Sequence, residues 1–161
     1  MAKSKADSKP EAPRQIQNRK ARFEFELIDT FEAGIALVGS EVKSVFLGKA
    51  NLADAFCRVL NGEIFLINLD IEPYDKAGAW TLERRRDRKL LMHRKQIDTL
   101  ERRSMEKGFA IIPTRMYFNH GKAKVEIALA RGKSEYDKRD KIAKDDARRE
   151  VERVTRRASK Y

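Results

Sequence analysis

Cysteine occurs once in this chain, at Cys57, histidine only twice, at His93 and His120, and no apolar run approaches the ~18 residues that span a bilayer. A lone cysteine excludes an intramolecular disulfide, and its place in the strand-like run with Phe56 and Val59 predicts a packed, reduced thiol. The histidines lie far apart, and no cysteine or clustered carboxylate accompanies either at metal-ligand spacing, so no metal and no cofactor is expected. The N-terminus lacks the apolar segment of a secretory signal, which predicts a cytoplasmic protein with no membrane contact. Phosphate-binding, dinucleotide and nucleophile-elbow motifs are absent too. Scattered carboxylates such as Glu41, Asp54 and Glu63 read as ordinary surface charge, so no catalytic residue is expected and the chain does not read as an enzyme.

Charge, by contrast, is abundant. Of 161 residues 38% are charged, the formal net charge is +11, and its division is uneven: residues 1–22 carry +5, residues 23–130 carry +1 and residues 131–161 carry +5. A nearly neutral centre with two basic ends fits one domain whose arms track a polyanion. Residues 1–17 hold Lys, Ser, Ala and Pro with almost no large apolar side chains and read as a disordered basic arm. Residues 18–130 read as the folded RNA-binding domain. Residues 131–161 read as a basic tail, disordered when free, because Ala143, Ala147, Val151, Val154 and Ala158 give only a thin seam at helical spacing.

Within the centre, Phe23, Phe25 and Leu27 alternate with Glu24 and Glu26 as in a half-buried strand starting at Phe23. The stretch from Phe31 to Leu52 packs a short apolar run (Ile35 to Val38), a glycine turn and a short helix. Ser40 is placed as its N-cap, Val42, Val45 and Phe46 form its apolar face, and Glu41, Lys43 and Ser44 its polar face. Asn61-Gly62 separates two strand-like runs as a hairpin turn. Pro73 closes the second run and Tyr74 to Trp80 reads as a loop. The basic run from Glu83 to Lys89 abuts an apolar triplet, Leu90-Leu91-Met92. A helix is predicted from His93 to Lys107, with Ile97, Leu100 and Met105 inward, Asp98 paired with Arg102, and Gly108 as the stop. Strands follow from Phe109 to Phe118 and from Ala123 to Ala130. Short strands, turns and two short helices predict a small closed or partly closed β-barrel.

The string FEAGIALVGSEVKS followed by GKANL resembles the signature of the SsrA-binding proteins, also called small protein B. The resemblance continues through Asn18-Arg19-Lys20-Ala21-Arg22, Arg88-Lys89-Leu90-Leu91, Lys124-Val125 and GKSEYDKRDKIAKDDARRE, so it spans Asn18 to about Val154. It implies an oligonucleotide-binding-type (OB) barrel with flanking helices that grips the tRNA-like end of tmRNA and brings it to stalled ribosomes for trans-translation. Elongation factor Tu would be met only indirectly, through tmRNA, and the chain would act as a monomer. The implied RNA contacts are Glu32, Leu91 and Lys124, with Asn18, Arg19, Lys20 and Arg22 as neighbours. Tyr136, Asp137, Lys138 and Arg139 are the implied contacts at the decoding centre. The residues beyond them, Val151 and Val154 included, would lie as a helix in the empty mRNA channel. Glu83-Arg84 stands where the family usually has Asp-Pro, and Ser134 where a lysine is common. On residues alone, a structural ribosomal or ribosome-assembly protein shares the basic ends and the barrel.

Overall fold

A computed structural model of the chain describes residues 12–78 and 82–158. Nine strands and four helices follow in the order β1 (Ile16–Gln17), α1 (Arg19–Glu24), β2 (Phe25–Ile35), α2 (Gly39–Phe46), β3 (Ala50–Asn51), β4 (Phe56–Leu60), β5 (Glu63–Ile67), β6 (Asp70–Ile71), β7 (Arg88–Leu91), α3 (Arg94–Ser104), β8 (Phe109–Asn119), β9 (Lys122–Gly132) and α4 (Glu135–Ala158). Strands β8-β4-β5-β7-β2-β9 form a ring that closes through the β8–β9 pairing, while β1 adds to the free side of β8 and β3 pairs with β6. The expected architecture, mostly strand with short flanking helices, is therefore present, and the ring is closed.

Alternation along the strands fills the ring. Val45, Ile64, Leu66, Leu69, Leu90, Met116, Val125, Ile127 and Leu129 are sealed from solvent at 0–1% exposure. Cys57 joins them in the apolar interior, and burial pushes its thiol pKa up. A smaller apolar cluster, Ala21, Ile112 and Ala130 with Phe25, Leu27, Phe56 and Ala110, lies under α1 on the outside of the ring. The Asn61-Gly62 hairpin forms as expected, with φ of 51° and 72° at its two centre residues. Gly62 suits its positive φ, and the Arg94 guanidinium, which donates to its carbonyl, lies where a Cβ would stand.

Several expectations are corrected. Residues 12–17 are not a loose arm, because Ile16 enters the core and pairs with Met116, and the Arg14 amide donates to the Phe46 carbonyl; residues 1–11 lie outside the described part. Phe23 and Glu24 end α1 instead of opening a strand, since Asn18 caps a helix just before them. Ser40 is not the cap of α2. The helix begins at Gly39 after an extended Val38, whose amide donates to the Glu41 carboxylate. Met105 is 76% exposed, as α3 ends one residue earlier. Asp98 pairs backward with Arg94 at 3.0 Å instead of forward with Arg102. Leu91 does not share the burial of Leu90, because β7 alternates and turns it outward, while Met92 is partly buried against the core. Part of the Tyr74 to Trp80 loop, including Trp80, lies outside the described residues.

The largest correction concerns Glu41 and Ser44, both assigned to a polar face and both buried, at 5% and 0% exposure. Glu41 accepts from Arg88 (2.7 and 3.0 Å), from Arg86 (2.6 and 2.9 Å) and from the Val38 amide at 3.1 Å. Arg88, 1% exposed, spends all five of its N–H groups, two on Glu41 and the others on the carbonyls of Leu69, Arg84 and Arg86. The basic run is therefore held, as expected, and by internal carboxylates: Arg84 also grips Asp70 at 2.9 and 3.2 Å. The Glu83-Arg84 departure from the family pattern thus sits in an anchored turn, with the Ile71 amide donating to the Arg84 carbonyl.

Burial works against charge on Glu41, but the hydrogen bonds from Arg86 and Arg88 outweigh it and hold its carboxyl below 4.5. A depressed carboxyl contributes stability that is present above its unfolded value and is lost as pH falls through the folded one. Glu41→Gln leaves Arg88 buried without its counter-charge and is expected to lower stability by about 3–5 kcal/mol. Its deficit against the parent chain should shrink below about pH 4.5, and urea unfolding measured between pH 7 and pH 3 checks both statements.

Candidate nucleic-acid interface

The outer surface of the ring can be read as a grid, because side chains alternate and register fixes their neighbours. Leu91 of β7 lies opposite Gly34 of β2, Gly34 opposite Lys124 of β9, and Lys124 opposite Tyr117 of β8. One step along the same strands, Glu32 lies opposite Glu126 and Glu126 opposite Arg115. Three residues expected from separate motifs, Glu32, Leu91 and Lys124, thus stand on one face. Gly34 is needed between them, since a Cβ there would sit 3.3 Å from the Leu91 Cβ. Leu91 consequently lies over bare backbone and remains 56% exposed.

Two glutamates directly opposite one another repel, and each is drawn aside by other partners. Glu126 accepts from Arg115 at 2.8 and 3.0 Å and from the Thr114 hydroxyl at 2.7 Å. Glu32 accepts from the Tyr117 hydroxyl and lies 3.5 Å from the Lys124 ammonium. The Tyr117 hydrogen bond, with Lys124 nearby, holds the Glu32 carboxyl below its ordinary value. Partial burial, and then Glu32, raise the phenol to about 12, so at neutral pH Tyr117 is a donor. Burial opposes ionisation of Glu126, but Thr114 and Arg115 prevail and hold its pKa down. The Arg115 guanidinium also lies 5.1 Å from the Tyr117 ring centre. The face therefore offers carboxylate acceptors, a phenol, an exposed leucine and two cations within a few residue spacings.

Arg115, Tyr117, Thr114 and Glu126 were not among the residues singled out from sequence, although a signal for them exists. Along β8, Phe109 and Ile111 face the main core, but after a register shift at Thr114 the inward residues become Met116 and Phe118. That bulge puts Arg115 and Tyr117 on the outside, and Pro113 inside a strand is its sequence mark.

Asn18 has a different task from the RNA contact expected of it. It is 3% exposed, its Nδ2 donates to the carbonyls of Pro113 and Leu52, and its Oδ1 caps α1 through the Ala21 amide. With its own amide donating to the Thr114 carbonyl, it ties down the bulge. Arg19, Lys20 and Arg22 are exposed on α1, Lys20 paired with Asp54 at 3.1 Å. Arg22 contributes to the field at Glu126, which places α1 at the Glu126 end of the grid.

The tail residues stand apart from this face on α4, a helix from Glu135 to Ala158. Its start was hidden in a capping box: the Ser134 hydroxyl accepts from the Asp137 amide, and the Asp137 carboxylate accepts from the Ser134 amide and hydroxyl. Side-chain pairs such as Arg148 with Glu152 and Arg153 with Glu150 support the rest. Strand β9 also runs to Gly132, past the expected boundary at residue 130. Lys133 and Lys141 donate to the Arg22 carbonyl and dock the first turns of α4 on α1. Tyr136, Val151 and Val154 are 72%, 65% and 58% exposed, and Lys138 and Arg139 share the first turns with Asp137.

A closed strand ring with an alternating acceptor, aromatic and cation face and a basic helical extension is the build of a single-domain nucleic-acid-binding protein. Comparison with known proteins makes the class specific: the family model described as SmpB protein matches residues 15–157. An SsrA-binding protein from Desulforudis audaxviator is 53% identical over 140 residues, 87% of this chain and 92% of its own length. Another, from Symbiobacterium thermophilum, is 50% identical over 157 residues, 97% of each chain. A solved structure presented as "tmRNA-SmpB: a journey to the center of the bacterial ribosome" matches with a TM-score of 0.65 and 43% identity, covering 75% of this chain and 85% of that one. The chain belongs to the SmpB family.

Two measurements test the geometry. Asn18→Ala strands buried carbonyls at the bulge and is expected to lower stability by about 1–3 kcal/mol, whereas Arg19→Ala should change it by less than about 0.5; chemical denaturation compares them. Tyr117→Phe removes the hydrogen bond that depresses the Glu32 carboxyl, so the pKa of Glu32, followed by carboxyl-carbon NMR, should rise toward its ordinary value. An unchanged Glu32 titration would show that the phenol does not hold it.

Proposed function

We propose that this chain binds tmRNA at its tRNA-like end and delivers it to stalled ribosomes for trans-translation, acting by binding and not by catalysis. One observation supports the reading above others: Glu32, Leu91 and Lys124, drawn from three distant motifs, occupy neighbouring outward positions on three adjoining strands. Each suits one part of an RNA. The Lys124 ammonium meets phosphate, Leu91 packs on a sugar or base, and Glu32, kept ionised, accepts from base amino groups or a 2′-hydroxyl. Arg19, Lys20 and Arg22 extend the cationic field from α1.

The tail faces the second partner. Tyr136, Asp137, Lys138 and Arg139 meet the decoding centre, the exposed ring stacking on a base and the cations meeting phosphates, while Val151 and Val154 lie on the helix that follows the mRNA channel. Asp137 serves this indirectly, by capping the helix. The chain works as a cytoplasmic monomer, with elongation factor Tu reached through tmRNA. Among the described residues no helix is long and apolar enough to cross a membrane.

Core and tail are separable by experiment. Lys124→Glu is expected to weaken binding to purified tmRNA without unfolding the ring, since it adds a like charge to phosphate. Its log K against log[salt] should flatten by about 0.7–0.9. Truncation from Asp137 onward should retain tmRNA binding within a few-fold yet abolish peptide tagging in a reconstituted translation reaction. Equal binding to tmRNA and to ribosomal RNA of the same mass would favour a structural ribosomal protein instead.

A further inference from the structure

The outer face of the ring does not end at Leu91. Two residues along β7 on the same side is Lys89, which lies opposite Phe65 of β5, and Phe65 lies opposite Arg58 of β4. The neighbours of this row, Cys57, Ile64, Leu66 and Leu90, all face the core, which fixes Arg58, Phe65 and Lys89 on the outside. Phe65 is half-buried and packs against neither apolar cluster, although an aromatic side chain on a small domain ordinarily serves its core. Its flanks are cationic. Arg58 is exposed, lies 5.8 Å from the Phe56 ring, and has no ion-pair partner among the described residues. Lys89 is held at 2.5 Å by Glu63, both nearly half exposed, so a phosphate can exchange with that carboxylate in solvent. Ile67, half-buried opposite Phe56, forms an apolar shoulder beside the ring of Phe65.

An outward aromatic between two cations, one step from a proposed RNA contact, has the chemistry of a nucleotide-stacking position. We propose that Phe65 stacks an unpaired base of the bound RNA while Arg58 and Lys89 meet the phosphates on either side. The subsite extends the Glu32, Leu91 and Lys124 face around the ring onto β5 and β4, and it rests on the RNA-binding reading given above. Stacking selects for an unstacked nucleotide and not for sequence, because every base presents a π-face. The contact therefore recognises a looped or bulged nucleotide next to the helical RNA gripped by Lys124.

The test measures binding of the full chain to purified tmRNA across a salt series, with thermal unfolding as a check on the fold. Phe65→Leu keeps the apolar bulk and removes the π-face; it should weaken binding about 5- to 150-fold, the range of one base stacked on an aromatic ring, with the salt slope unchanged. Phe65→Tyr keeps the π-face and should bind as the parent does. Arg58→Gln should instead flatten the salt slope by about 0.7–0.9. Parent-like binding by a folded Phe65→Leu chain, with Lys124→Glu impaired, would overturn the subsite and leave the larger reading in place. Impaired Phe65→Leu beside normal Lys124→Glu would keep the subsite and remove Lys124 from the RNA contacts.

Discussion

The fold depends on one buried ion pair, Glu41 with Arg88. Taking two charges out of water is expensive, and the Coulomb attraction repays it only where the remaining hydrogen-bonding capacity is met. Here it is met in full, for Arg88 uses every N–H and Glu41 accepts from two guanidiniums and a backbone amide. The pair stands at the first turn of α2, where a negative charge is also favoured by the helix dipole. It ties together the start of α2, the turn from Arg84 to Asp87, and β7. Strand β7 is only four residues long and is squeezed between β5 and β2. With Arg88 pinned inward, alternation carries Lys89 and Leu91 outward, so an interior ion pair determines where two surface residues stand.

A second fixed point is the bulge at Thr114. A shift of one residue moves a strand's side chains to the opposite face, and without it Arg115 and Tyr117 would point into the ring. Asn18 secures the bulge with one side-chain hydrogen bond to the Pro113 carbonyl and one from its own amide to the Thr114 carbonyl. The same asparagine both starts α1 and orients the acceptor side of the proposed interface. Residues that resemblance marks for function can thus act at one remove, and burial distinguishes the two cases: Asn18 is sealed while Arg19 beside it is open.

What sequence made legible follows from the range of each signal. Period-two alternation, the Asn61-Gly62 turn and the helix before Gly108 are local, and they were read correctly apart from two or three residues at the ends. The fate of charged residues is not local. Glu41 looked like surface charge because nothing near it in sequence shows that Arg88, 47 residues away, will neutralise it. The run from Glu83 to Lys89 was read as held, but not by what: Arg84, Arg86 and Arg88 are held by carboxylates distant in sequence, Asp70 and Glu41. The start of the tail helix had a local signal that was overlooked, the Ser134-to-Asp137 capping box. Glu32, Leu91 and Lys124 came from resemblance alone; only the register of β7, β2 and β9 puts them side by side.

The distribution of charge gains a physical meaning from these placements. Within the ring domain the net charge is close to zero, with Arg84, Arg86 and Arg88 matched by carboxylates that build the fold, and the excess positive charge lies toward the chain's two ends. Those ends are not independent. Lys133 and Lys141 both donate to the carbonyl of Arg22, and the Lys141 ammonium lies 5.9 Å from the Phe23 ring, so α4 leaves the ring from the exposed side of α1. The carbonyl they share is at the C-terminal end of α1, where a helix presents unsatisfied oxygens and favours cations. Two contacts of this kind, both at the surface, are weak in water, and they act on a helix that makes few other contacts with the ring. The departure point of α4 is therefore set by β9, Lys133 and Lys141. In the function proposed above, that division of labour is what the chain requires: a closed ring that holds one RNA and a helix, joined to it at α1, that reaches along another.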